Sequence, residues 1–175
     1  SLAAVGFRAA NSTNITSGLI SSNQSFYSED VGGFLIRSVR WLMDRTKVDG
    51  LRLDAINFCF HDDQLRSNPG SGEPDGSNPT VSASNPYAWQ QHLYDRSRPD
   101  ALGFLQRLRA LTDLYEDATM VGEIGDESGM VMVAQYSSGG DKLHMGYCFD
   151  LLSDRHDAAH IMARAVVRLF PGTQL

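Results

Sequence analysis

Short apolar runs alternate with segments of helical period along this chain, and that alternation limits the fold more than any other feature. The runs are VDGLRLDAI over 48–56, ATMVGEI over 118–124 and LHMGYCF over 143–149. Before the first, Val31, Phe34, Leu35, Val39 and Leu42 repeat at helical spacing, after a Ser28-Glu29-Asp30 start that suits a helix N-terminus. Pro99 opens a second helical segment with Leu102, Leu105, Leu108 and Leu111 on one side. Ser128 to Tyr136 reads as a third, short helix, and DLLSDRHDAAHIMARAVVRLF, from Asp150, as a fourth with Ile161, Ala165, Val166 and Leu169 inward. Strands separated by helices are joined by crossovers, so the expectation is an α/β fold with a parallel sheet.

With 175 residues, 42% of them hydrophobic, the chain can bury one substantial core. Residues 1–27 read as a polar, loop-rich segment, and 28–175 carry the alternation. A long loop insertion, residues 62–98, is rich in Asn, Pro, Gly and Ser, and compact domains keep such excursions for a use. A net charge of −6 without a basic cluster argues against nucleic acid and anionic membranes as partners. No apolar run approaches the roughly 20 residues of a membrane span. The N-terminal SLAAVGFRAANSTN lacks the charged region and apolar core of a signal peptide. With no starting Met, and PGTQL at the other end, the chain reads as cut from a longer one. Cys59 and Cys148, in apolar surroundings, read as packed free thiols, and the N-x-S/T triplets at Asn11, Asn14 and Asn23 as chance.

Charge inside the first apolar run needs an explanation. On a strand, residues two apart face the same way, so Arg52 and Asp54 project together, away from Leu51 and Leu53. From spacing alone, a structural ion pair at a strand end is the simpler reading. A second carboxylate changes the weighing: Glu123 ends the next predicted parallel strand after a helical crossover. Adjacent strands lie roughly 4.8 Å apart, so carboxyls at their ends reach the roughly 5–5.5 Å separation of a retaining glycosidase. A guanidinium favours the ionised form of its carboxylate neighbour, and apolar company favours the protonated form. Asp54 has Arg52 beside it, whereas Glu123 follows TMVG. That division suits a nucleophile and a general acid.

These residues also carry a resemblance. DGLRLDAIN, then VGEIGDE about 70 residues later, is similar to two short segments of the α-amylase superfamily, glycoside hydrolase family 13. The resemblance implies a (β/α)8 barrel, here a partial TIM barrel from about the third helix through the sixth strand. It implies Asp54 as the nucleophile of a covalent glycosyl intermediate, Glu123 as general acid and then base, and Arg52 as the residue orienting Asp54 at the first sugar site. Many α-amylases place His four residues after the nucleophile, often following Lys. Here those positions are Phe58 and Asn57, and DAINF resembles the α-glucosidases and oligo-1,6-glucosidases more closely. Asn57 and Phe58 are therefore expected on the substrate. LHMGYCFDLL resembles the sixth-strand segment of those enzymes. The implied substrate is an α-glucoside or short malto-oligosaccharide, with no cofactor required; calcium, or another cation, is assigned to no residue.

The family also uses an Asp after its seventh strand, usually preceded by His, and an Asp and a His near the third strand's end. The chain's HD pairs, His61–Asp62 and His156–Asp157, sit elsewhere and are expected to be solvated. With only three barrel strands legible, the chain by itself is expected to be inactive. His61, Asp62 and Asp63 make a poor metal site, because adjacent residues on an extended chain point apart. Tyr27, Phe58, Phe60, Tyr87, Trp89 and Tyr147 are candidates for stacking on sugar rings, Tyr87 and Trp89 the better pair, but ordinary packing is the simpler reading. Two functions stay open: a retaining α-glycoside hydrolase, or a noncatalytic barrel of the same superfamily acting as a binding or scaffold subunit.

Overall fold

The computed structural model describes residues 2–5, 29–74, 81–149, 157–159 and 162. Four parallel strands form one sheet in chain order: β1 (Leu2–Val5), β2 (Gly50–Leu53), β3 (Thr119–Ile124) and β4 (Met145–Cys148). Helices α1 (Glu29–Thr46), α2 (Asp100–Thr112) and α3 (Gly129–Ser137) fall where the periodicity predicts them. β1 is a correction. Residues 1–27 read as loop, yet Leu2 pairs with Gly50 and Val5 with Leu53, so the sheet has four strands among the described residues where three were legible. A four-residue strand is too short to show an alternation of its own, and its order comes from backbone pairing with β2.

One apolar cluster joins the sheet to all three helices. Leu51, Leu53, Met120 and Ile124 are fully buried against Val39 and Met43 of α1, Phe104, Leu105, Leu108 and Leu111 of α2, and Tyr136 of α3. Strands in unbroken chain order with helices on one face are what an arc of an α/β barrel has. A doubly wound sheet reverses its strand order and carries helices on both faces. The other face of β2 and β3 is left to Arg52, Val121 and Glu123, which are only partly buried.

Phe34 does not point inward as expected; it is 60% exposed. It lies five residues from Val39, about 140° around the helix from the Val39–Met43 stripe that faces the sheet. β2 is also shorter than the apolar run. The chain leaves it at Asp54 and turns at Ala55, whose left-handed φ of 45° redirects it into a 3-10 turn over Ile56–Phe58. In the long loop that follows, a second such turn spans Pro86–Trp89, and Gly70 bridges Gln90. The helix expected from Asp150 onward lies outside the described residues, apart from 157–159 and 162.

Candidate active site

Strand register brings the two predicted carboxylates to one level. Leu53 pairs with Gly122, so Asp54 and Glu123 are each the next residue along adjacent parallel strands. Glu123 in turn pairs with Tyr147 on β4. Alternation turns Leu51 and Leu53, Met120 and Ile124, into the core and leaves Arg52 and Glu123 on the opposite face. Gly122 is where the sheet is tightest. A Cβ there would lie 2.5 Å from Leu143 Cδ1 and 3.2 Å from Ile56 Cγ2, so glycine is what lets β3 close on its neighbours just before Glu123.

One guanidinium ties the site together. Arg52 donates from Nη1 to Asp54 Oδ1 at 2.7 Å and from Nη2 to Glu123 Oε2. It also donates to the Tyr147 hydroxyl, from Nη2 at 2.8 Å and from Nε at 3.2 Å. That hydroxyl in turn donates to Glu123 Oε2 at 2.8 Å. The bonds to Tyr147 first, and to Asp54 second, tighten the hold of Arg52 on its proton. Burial, and then the bond to Glu123, push the Tyr147 phenol above its usual range, so it remains a donor at neutral pH. Glu123 therefore does not keep the apolar company that TMVG suggests. Its partners are a cation and a phenol, both supplied by neighbouring strands.

Asn57 takes a different place from the expected one. Asn57 is fully buried, and its amide is committed to the backbone of the turn after β3. Its Nδ2 donates to Gly125 O at 2.9 Å and to Ser97 Oγ at 3.1 Å, while its Oδ1 accepts from Gly125 N at 3.1 Å. With no exposed surface, it is a strut of the site's floor and not a sugar contact. Phe58 flanks the same turn: a Cβ on Gly125 would lie 3.4 Å from Phe58 and 3.2 Å from Phe149. The far end of the long loop joins this junction. Ser97 donates from its backbone N to Asn57 O at 2.7 Å and from its hydroxyl to Asp126. Arg96, buried, donates to Glu127 Oε1 at 2.9 Å and lies 3.8 Å from Asp126.

The other stacking candidates among the described residues make contacts within the protein. Tyr87 lies 3.9 Å from the His92 ring, centroid to centroid, and its hydroxyl accepts from Arg96 at 3.3 Å. Trp89 donates to Ala83 O at 2.8 Å. Phe60 is buried against Phe104, and Tyr27 lies outside the described residues. Asp62 is not solvated as expected. It is buried, accepts from Arg66 Nε at 2.9 Å and Nη2 at 2.6 Å, and those bonds hold its carboxyl well below the usual carboxylate range. Among the described residues, no three His, Cys, Asp or Glu side chains converge as a metal site would. His156 lies outside the described residues. Burial pushes the Cys59 thiol up to about 12.

Sequence reasoning missed Tyr147 as a partner of Glu123 and the buried Asn57–Ser97–Arg96 junction. A polar-tipped residue on the strand after VGEI was the available signal for the first. The second joins residues about 40 and 70 apart through a loop, which no local pattern shows.

Comparison with known proteins bears on the family and the fold. Residues 23–170 match the alpha-amylase family, described as "Alpha amylase, catalytic domain". A "Probable alpha-glucosidase" of Rhizobium meliloti (strain 1021) is 42% identical over 130 residues, 74% of this chain and 23% of the relative. The structure of an "alpha-glucosyl transfer enzyme, XgtA" superposes with a TM-score of 0.72 at 45% identity, covering 83% of this chain and 26% of that one. A "Family GH13_31 enzyme" shares the fold at a TM-score of 0.59 and 14% identity, over 82% of this chain and 26% of its own. The chain thus spans about a quarter of the length of the relatives it matches. On the family match across most of its length, this chain belongs to the alpha-amylase catalytic-domain family, glycoside hydrolase family 13.

Proposed function

We propose that the chain is the central arc of the catalytic barrel of a retaining α-glucosidase-like enzyme, with β1 to β4 as the third to sixth of eight strands. Asp54 attacks the anomeric carbon of an α-glucoside and forms a glycosyl ester. The electron pair of the breaking bond stays on the glycosidic oxygen, which takes a proton from Glu123. Glu123, now a carboxylate, then removes a proton from the incoming acceptor as that acceptor displaces Asp54. Arg52, bonded to both carboxylates, holds them beside each other and orients Asp54 for attack. The substrate class is an α-glucoside or short malto-oligosaccharide, the reading favoured by DAINF and by the alpha-glucosidase relative.

A single observation carries this reading. Asp54 and Glu123, at the C-terminal ends of adjacent parallel strands, are bridged by the guanidinium of Arg52. A scaffold protein has no use for a carboxylate pair so held, at the rim where barrel enzymes work. The likeness to an alpha-glucosyl transfer enzyme favours a second reading of the last step, in which a hydroxyl compound replaces water as acceptor.

The full-length protein treated with 5-fluoro-α-glucosyl fluoride should become covalently labelled, with the label on the peptide containing Asp54. A folded, sugar-binding protein that takes no label would favour the noncatalytic scaffold. Adding a sugar acceptor to the labelled protein distinguishes hydrolysis from transfer, through the product released.

A further inference from the structure

We propose that Tyr147 is a positioning residue that fixes which oxygen of Glu123 delivers the proton, an inference that rests on the glycosidase reading above. Glu123 Oε2 accepts from two donors, the guanidinium of Arg52 and the hydroxyl of Tyr147. Arg52 has no acceptor capacity, and the Tyr147 oxygen already receives two Arg52 N–H groups, at 2.8 and 3.2 Å. A proton placed on Oε2 would meet donors on every side. The acidic proton therefore sits on Oε1, the oxygen these bonds leave for the glycosidic oxygen.

The register explains why Tyr147 is placed for this work. It pairs directly with Glu123 across β3 and β4, so the phenol approaches along the strand-to-strand direction while Arg52 comes from β2 on the other side. Two donors from opposite neighbours fix the plane of the carboxyl as well as its position. Arg52 alone also serves Asp54, and it would leave Glu123 free to rotate about its terminal bond. Tyr147 is 40% exposed, with its ring 6.0 Å from the Arg52 guanidinium carbon, so its ring is a minor part of the core and its hydroxyl is the part that acts.

In the reaction, the proton on Oε1 passes to the glycosidic oxygen as the C–O bond breaks and Asp54 bonds to the anomeric carbon. Glu123 ends as a carboxylate, with Oε2 still gripped. A misaligned acid harms substrates in proportion to how much their leaving group needs protonation. Fluoride needs little, and a sugar alkoxide needs much.

The test is Tyr147→Phe in the full-length enzyme, read as kcat/KM on maltose and on α-glucosyl fluoride. This ratio reports the first irreversible step, in which Glu123 acts as acid. The expected result is a loss of about 10- to 100-fold on maltose, a portion of the full acid-catalysis factor, carried by kcat with KM nearly unchanged. On α-glucosyl fluoride the loss should stay within about threefold. Equal losses on both substrates, whether from misfolding or from general damage to the site, would overturn the proposal, and so would no loss on either. Failure of the unsubstituted enzyme to turn over either compound would instead sink the glycosidase reading.

Discussion

Gly122 shows how one missing methyl group sets the place of the neighbouring carboxylate, Glu123. Its hypothetical Cβ would overlap Leu143, itself buried, and crowd Ile56. Gly122→Ala should therefore destabilise the protein by about 1–3 kcal/mol, the usual range for overpacking, as measured by denaturant unfolding. Because the strain falls one residue before Glu123, activity should drop more than stability suggests. Asp62 offers a test of a different kind. Arg66 lowers its proton affinity in the folded chain, so its stabilising effect is full above the ordinary carboxylate value of 3.8. The effect shrinks as pH falls below that value, and is gone once pH passes the lower folded value. Melting temperature followed from neutral to strongly acidic pH should fall less steeply in Asp62→Asn than in the unsubstituted protein. Parallel curves would show that Asp62 adds nothing to the acid limb.

Between elements, the site depends on loops tied to strand ends. Asn57, just past β2, fastens the turn after β3 through both backbone groups of Gly125, and takes Ser97 from the end of the long loop into the same junction. Asn57→Ala should leave a buried N–H and C=O without partners, at about 1–3 kcal/mol for each such group, and should loosen the loop beside Glu123. Limited proteolysis should then cut within residues 62–98 faster than in the parent protein, and an unchanged cleavage rate would count against the coupling. This junction was not legible in the sequence, whereas Arg52, Asp54 and Glu123 were. The carboxylates announce themselves because charge at the end of an apolar run is conspicuous and strand alternation fixes its direction. Asn57 reads equally well as a sugar contact or as a strut, and only its complete burial decides. α2 and α3 were legible because their apolar positions repeat at helical spacing, while β1 was not, because four residues carry too little pattern. Phe34 misled because it is apolar yet sits well around α1 from the Val39–Met43 stripe that faces the sheet.

At the scale of the whole molecule, the described sheet is an arc with one finished face and one unfinished. Among the described residues, β1 pairs only with β2, and β4 only with β3, so each offers an unsatisfied edge. Met145 and Tyr147 on β4 are 52% and 40% exposed. On α1, Phe34 and Trp41 are 60% and 61% exposed and line an apolar groove with Leu35, Val39 and Leu42. Among the described residues, none forms a wall around the face bearing Arg52, Asp54 and Glu123 that would exclude water and make its electrostatics strong. A retaining mechanism needs that wall and, by the family resemblance, a further Asp that no described residue supplies. The Asp of His61–Asp62 is held by Arg66, and Asp157 is exposed. The 175-residue chain purified alone should therefore release no nitrophenol from p-nitrophenyl α-glucoside above the uncatalysed rate, and its open edges should make it self-associate during size-exclusion chromatography. The same residues within the full-length protein should be active and elute as a discrete species. Turnover by the isolated chain would mean that the bridged carboxylates work without a closed barrel, and that the rest of the enzyme serves binding rather than the chemical step.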